Sequence, residues 1–156
     1  LIVFTPKSLL RLPACRSGLK ALAEGRFREI LPTGNAPEKC RSLLICSGKI
    51  FYDLQKKREE LEREDVAIVR VEQLYPLRTD LLAEALEPFR KLDKIAWIQE
   101  EPRNMGAWHF LHPHLSDILG KEPAYLGRDE AASPAVGSHR EHNREQEAIL
   151  QSAFDM

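Results

Sequence analysis

Two adjacent glutamates, Glu100 and Glu101, follow the apolar run Ile95-Ala96-Trp97-Ile98-Gln99, and paired carboxylates are a common acid and base of bond-breaking enzymes. On an extended backbone, neighbouring side chains point to opposite faces, so these two cannot work jointly on one bond. Pairing with arginine, or capping a helix that begins near Gly106, suits them better. Ser47-Gly48-Lys49 follows a second apolar run, Leu43-Leu44-Ile45-Cys46, and can offer backbone N–H groups and a positive helix end to a phosphate or carboxylate. The plainer role of Gly48 is to let a strand turn into its helix. His109, His112 and His114 stand close enough in sequence to share a metal from one helix. Pro113 disturbs the register between the last two, however, and only Asp117 stands at ligand spacing beside them. With His139 and His142, they read as solvated or interface imidazoles. Cys46 lies inside its apolar run with no neighbour to lower its pKa, and reads as core. No catalytic, cofactor-binding or metal-ligating residue is assigned on this basis.

The elements that must position these residues alternate between strand and helix. Leu43–Cys46 is short and continuously apolar, as a strand buried on both faces should be. Phe51, Leu54 and Leu61 recur at helical spacing among Lys56, Lys57, Arg58, Glu59 and Glu60, which predicts a surface helix over residues 50–63. Val66–Val71 is the next strand. A second helix carries Leu82, Ala85, Leu86 and Phe89, with Thr79 as its N-cap. Lys94–Gln99 forms a third strand that gives way to a loop at Glu100. A third helix carries Trp108, Leu111, Leu115, Ile118 and Leu119, which Pro113 should bend or interrupt. Tyr125-Leu126 marks a last short strand. Ser138-His139-Arg140-Glu141 is a capping box that starts a final helix docked by Ile149, Leu150, Ala153 and Phe154.

This alternation predicts an α/β fold with a mostly parallel sheet covered on both faces. In such sheets ligands gather beyond the carboxyl ends of the strands, here Ser47-Gly48-Lys49, Glu72-Gln73-Leu74 and Glu100-Glu101-Pro102. Residues 5–40 are dense in breakers (Pro6, Pro13, Gly18, Gly25, Pro32, Gly34 and Pro37) and admit one short helical stretch around Leu19, Leu22 and Ala23. They read as a tether into a compact domain that starts near Cys40.

Composition removes several classes. The 156 residues are 43% hydrophobic and 30% charged, enough for one domain with a real core. A net charge of −1 with cations scattered among acids creates no field for nucleic acid or an anionic membrane. No apolar stretch approaches the ~20 residues of a membrane span. Three cysteines without a CxxC pair fit a reducing compartment. The closest glycines are seven apart, so neither a dinucleotide fingerprint nor a phosphate loop occurs, and there is no GxSxG elbow. The opening Leu1-Ile2-Val3-Phe4 lacks both methionine and a lead-in, and is expected to be the cut end of a larger body.

A set of landmarks in one order carries a resemblance: Pro6-Lys7-Ser8-Leu9-Leu10-Arg11, Cys46-Ser47-Gly48-Lys49, Val66-Ala67-Ile68-Val69-Arg70, Glu72-Gln73-Leu74-Tyr75-Pro76, Gln99-Glu100-Glu101-Pro102, Asn104-Met105-Gly106-Ala107-Trp108 and Ser133-Pro134-Ala135-Val136-Gly137. They resemble the C-terminal region of the 2-oxoglutarate dehydrogenase family, the thiamine diphosphate-dependent decarboxylating components of a multienzyme complex. The resemblance implies a three-layer α/β/α domain of the transketolase C-terminal type over residues 40–156. Residues 1–39 would then end a preceding pyrimidine-binding-type domain and add a linker. It also implies a homodimer, a dihydrolipoyl succinyltransferase partner, and the bacterial cytoplasm or the mitochondrial matrix. Thiamine diphosphate and magnesium would be held elsewhere in the parent, because the Gly-Asp-Gly segment that grips them is absent here. This stretch alone should therefore be inactive. Relatives that respond to acetyl-CoA or AMP suggest Arg26, Arg28 and Gln73 as contacts for a regulatory ligand, although the basic cluster such members carry after Glu-Gln-Leu is only Arg78-Thr79-Asp80-Leu81 here. The related 2-oxoadipate dehydrogenase and a free-standing ligand-binding regulatory module are the alternatives. A complete small enzyme lacks a recognisable nucleophile, base or metal set.

Overall fold

A computed structural model describes residues 1–32 and 36–156; Gly34, counted above among the breakers, lies outside the described residues. Strands β1 (Ile30–Pro32), β2 (Ser42–Cys46), β3 (Val66–Val71), β4 (Lys94–Pro102) and β5 (Ala124–Arg128) form one sheet in the order β1-β3-β2-β4-β5. The pairs β2–β3, β2–β4 and β4–β5 are parallel, and only the β1–β3 edge pair is antiparallel. Helices α1 (Leu19–Glu24), α2 (Ile50–Glu60), α3 (Thr79–Leu86), α4 (Trp108–Leu119) and α5 (His139–Phe154) complete the elements, with short 3-10 turns between them.

Alternation along the strands sorts the core into two layers. Leu43, Ile45, Val69, Ile95 and Trp97 point to the face covered by α3 and α4 through Leu82, Leu86, Leu111 and Leu115. Leu44, Cys46, Ile68, Ala96 and Ile98 point to the other, covered by α2 and α5 through Leu54, Ile149, Ala153 and Phe154. Every residue of β2 is buried, which is why it reads as an unbroken apolar run. The result is the expected three-layer α/β/α sandwich.

Several details differ from the sequence reading. Strand β4 does not end at Gln99 but continues to Pro102, because a register shift between Ile98 and Pro102 lets Pro102 pair with Arg128 of β5. The N-cap of α3 is Arg78 rather than Thr79, with no side-chain cap; its guanidinium instead grips Asp80 at 2.6 Å. Pro113 does not interrupt α4, which runs through it and ends at Gly120 in the left-handed region (φ 67°). β1 is hidden in sequence by the breakers around it. The capping box is half formed: Ser138 Oγ accepts from the Glu141 N–H at 3.4 Å, while the Glu141 carboxylate binds Arg144.

Candidate functional site at the carboxyl edge of the sheet

After β2 the chain leaves toward α2 on one face, and after β4 it leaves toward α4 on the other. The crevice between those exits is where open parallel sheets collect ligands. A cleft of ≈ 450 Å³ lies there, walled by Leu74, Trp97, Phe110 and Pro6 and floored by Ser47-Gly48-Lys49 and Glu100. Gly48 has φ +71° with open space beside it, so its turn needs left-handed backbone rather than a close approach. The turn delivers Lys49 to the cleft.

Glu100 shares the parity of Ile98 and therefore faces α2, where its carboxylate meets Lys49 Nζ at 2.5 Å; Asp53 lies 3.5 Å from the same ammonium. Burial opposes the ammonium, yet the two carboxylates outweigh it and hold the Lys49 pKa above its ordinary value. The lysine is thus neutralised within the chain. Glu101, exposed, points away, as expected for an adjacent residue on a strand.

Gln99 faces the opposite layer and is 3% exposed. Its Oε1 accepts from Trp97 Nε1 (2.9 Å) and from the Trp108 backbone N–H (3.0 Å). Its Nε2 donates to the carbonyls of Met105 (2.8 Å), Pro102 (3.1 Å) and Glu101 (3.2 Å). One amide therefore ties the end of β4, the following turn and the first residue of α4. Gly106 completes this lock: it has φ +66°, and a Cβ there would sit 2.9–3.1 Å from the Gln99 amide. Nearby, the Tyr125 hydroxyl donates to the carbonyls of Glu101 and Arg128. Burial pushes the Tyr125 pKa up to about 12, so the group stays a phenol. Arg128 donates to the carbonyls of Glu100 (2.5 Å) and Pro134 (2.8 Å) and lies 3.4 Å from Glu145. These residues were not assigned roles from sequence. The usable signal was a polar residue two places after Trp97 on a buried strand face, since a buried amide must find partners.

At the end of β3, Arg70 stacks 4.0 Å over the Phe51 ring with Glu72 at 3.7 Å, and its buried Nε has no acceptor. Arg26 and Arg28 line a separate groove of ≈ 970 Å³ between α1, β1 and α3, shared with Glu24, Glu29 and Glu84. Gln73 is outside that groove. Its N–H bonds the Glu29 carbonyl at 3.1 Å, next in sequence to Arg28, and its side chain donates to Pro76 O at 2.8 Å. The histidines are dispersed among local partners: His112 pairs with Glu122 and stacks on Trp108, His114 packs on Phe110, and His139 lies by His142. Among the described residues, no group of three or more His, Cys, Asp or Glu is placed to hold a metal ion. Burial pushes the Cys46 thiol up to about 12, which removes its nucleophilic form.

Thiamine diphosphate and magnesium do not fit this edge. Lys49 is already paired to Glu100 and Asp53, whose carboxylates would repel a diphosphate, and among the described residues no group of three or more His, Cys, Asp or Glu is placed to take the magnesium. What the edge can do is hold its own loops in place.

The family model for the 2-oxoglutarate dehydrogenase C-terminal region matches residues 16–154. The 2-oxoglutarate dehydrogenase E1 component of Azotobacter vinelandii is 43% identical over 161 residues, which cover 99% of this chain and 17% of that protein. Those of Cupriavidus necator and Bacillus anthracis are 40% and 39% identical, covering 99% and 100% of this chain and again 17% of each relative. The chain thus spans about a sixth of the length of the curated relatives it matches. A match along nearly all of its residues, on the α/β/α layers expected from its landmarks, makes this chain a member of the 2-oxoglutarate dehydrogenase C-terminal family.

Proposed function

We propose that this domain braces the E1 subunit of a 2-oxoglutarate dehydrogenase, supporting its dimer and its active-site domains while bond-breaking takes place outside it. The observation that carries the reading is 39–43% identity along the whole chain to E1 components about six times its length. A carboxyl edge whose charged groups neutralise one another is consistent with a bracing role. In this reading the complete polypeptide decarboxylates 2-oxoglutarate with thiamine diphosphate and magnesium held by its other domains. It then delivers the succinyl group to a lipoyl arm of a dihydrolipoyl succinyltransferase, as a step of the tricarboxylic acid cycle. The setting is the cytoplasm of a bacterium or a mitochondrial matrix; no helix among the described residues is long and apolar enough to cross a membrane.

The test is a comparison of the 156-residue chain with the complete polypeptide, each supplied with thiamine diphosphate, magnesium, 2-oxoglutarate and an artificial electron acceptor. Turnover is expected from the complete polypeptide alone. Turnover by the short chain that disappears in Glu100→Gln would place the active site here and overturn the reading. A higher kcat/KM for 2-oxoadipate than for 2-oxoglutarate would reassign the substrate.

The same reading gives the groove at Arg26 and Arg28 a regulatory ligand, acetyl-CoA or AMP, because two exposed arginines lining one groove suit phosphate. Glu24, Glu29 and Glu84 on the same groove work against an anion. Activation of the complete polypeptide by either effector should weaken in Arg26→Ala and Arg28→Ala. Ser47-Gly48-Lys49 remains the second candidate anion loop, with binding that requires the ligand to displace Glu100 from Lys49.

A further inference from the structure

The starts of the three central strands meet at the amino edge of the sheet, opposite the site described above. Ser42 of β2 is in register with both Val66 of β3 and Lys94 of β4. The backbone N–H groups of Arg41 and Ser42 both donate to the Asp65 carbonyl, at 2.7 and 3.3 Å, which fixes these starts side by side. Ser42 has the parity of Leu44 and Cys46, and Lys94 that of Ala96 and Ile98, so the two are neighbours on the α2–α5 face. A cleft of ≈ 380 Å³ opens there, at the small end of the roughly 300–1,000 Å³ of small-ligand sites. Exposed Arg41, Lys91 and Lys94 line it, and half-buried Met156 closes it against the core.

Two observations point to a ligand. The first is charge. Arg63 and Asp65 on the wall satisfy each other at 2.6 Å, whereas Arg41, Lys91 and Lys94 form no ion pair among the described residues. Asp93 is the one remaining acid on the lining, so three cations against one carboxylate leave a surplus of two positive charges, in a chain whose net charge is −1. Like charges held together repel, and the fold does not relieve them here as Glu100 and Asp53 relieve Lys49 at the opposite edge. The second is Ser42. It is 2% exposed and lines the same cleft, and its hydroxyl meets no hydrogen-bond partner among the described residues. Buried hydroxyls are ordinarily bonded, and the cleft is where a partner can reach this one.

We infer that this cleft binds a phosphate dianion, free or as the phosphoryl end of a small metabolite, held by Arg41, Lys91 and Lys94 with the Ser42 hydroxyl donating to one oxygen. Arg41 supplies forked N–H donors, the lysines supply point charges, and the surplus of two matches the ligand's charge. The site uses only groups of this domain and is independent of the E1 reading.

The experiment is acetylation of lysines in the complete polypeptide by an N-hydroxysuccinimide ester, read residue by residue by mass spectrometry. Thiamine diphosphate and magnesium are present, so that any diphosphate site elsewhere is filled. Inorganic phosphate should slow labelling of Lys91 and Lys94 along a saturable curve, by about tenfold at ten times its midpoint concentration. Lys56, whose side chain is 77% exposed on α2, should label at an unchanged rate. Arg41→Gln and Ser42→Ala should each raise the midpoint by roughly tenfold, since each removes a bond to a charged oxygen. Glycerol 3-phosphate distinguishes the sources: a lower midpoint than that of phosphate assigns the site to a phosphate ester, and a higher one to the free ion. Equal slowing by chloride at the same ionic strength, or at Lys56, would show screening alone and overturn the inference. A midpoint unmoved in Arg41→Gln would overturn it too, and that exposed position leaves the fold intact if Ser42→Ala does not.

Discussion

Replacing Gln99 with leucine removes the amide that ties β4 to α4 while filling most of its volume. Two donors are then stranded in a dry site, the indole N–H of Trp97 and the backbone N–H of Trp108, in residues 1% and 5% exposed. A buried donor left without an acceptor costs about 1–3 kcal/mol. The acceptor side suffers less, since the Glu101 carbonyl keeps its bond from the Tyr125 hydroxyl. The expected loss is therefore about 3–4 kcal/mol, a large share of the roughly 5–15 kcal/mol that holds a domain of this kind folded. Urea unfolding followed by tryptophan emission reads it directly, because the chain's only two tryptophans are the two residues concerned. The midpoint should fall with little change in slope. Gln99→Glu should also destabilise, since a carboxylate facing the carbonyls of Pro102 and Met105 repels them. Gly106→Ala provides the coupling test. Its left-handed backbone costs about 1–2 kcal/mol alone, and the clash with the amide adds to that only while Gln99 is present. The two changes should thus be sub-additive in a Gln99→Ala background. A Gln99→Leu loss below ~1 kcal/mol with unchanged emission would refute the lock.

Arg128→Met should release residues 129–137 by removing the bonds to Glu100 O and Pro134 O, seen as faster cleavage in that loop with α4 and the β2–β3 pair still protected; an unchanged cleavage rate would show that the loop holds itself. Native Cys46 should resist thiol reagents at about pH 8, where a thiol with a pKa of about 12 is almost wholly protonated, while half-buried Cys15 reacts first; mass spectrometry of the labelled chain decides it. Hydrogen bonds from Arg63 hold the Asp65 carboxyl below its ordinary value, and Arg63 also donates to the Phe154 carbonyl at 2.7 Å. A depressed carboxylate contributes stability that is present above its unfolded pKa, about 3.9, and lost as pH falls through the lower folded value. The Tm difference between wild type and Asp65→Asn should accordingly be greatest near neutrality and shrink on acidification below about pH 4. A difference that does not change with pH would show that Asp65 stabilises by packing alone.

The alternation of elements, the two-faced burial of β2 and the existence of α2 to α5 were legible in the sequence because they depend on local periodicity. Apolar runs of strand length and stripes at helical spacing need no distant partner to be recognised. The landmark order also pointed to the family that the relatives then showed. Chain-distant pairing was not legible, and it fixed the rest. β4 runs past Gln99 because β5, more than twenty residues later, offers Arg128 to pair with Pro102. Lys49 reads as a free cation in Ser47-Gly48-Lys49 until the parity of β4 brings Glu100 beside it. Arg26 and Arg28 share a groove with α3 only because β1 pairs antiparallel with β3, which three residues between breakers did not announce. Local pattern sets what each segment is; which charge meets which, and which amide is buried, is decided when the strands take their order in the sheet.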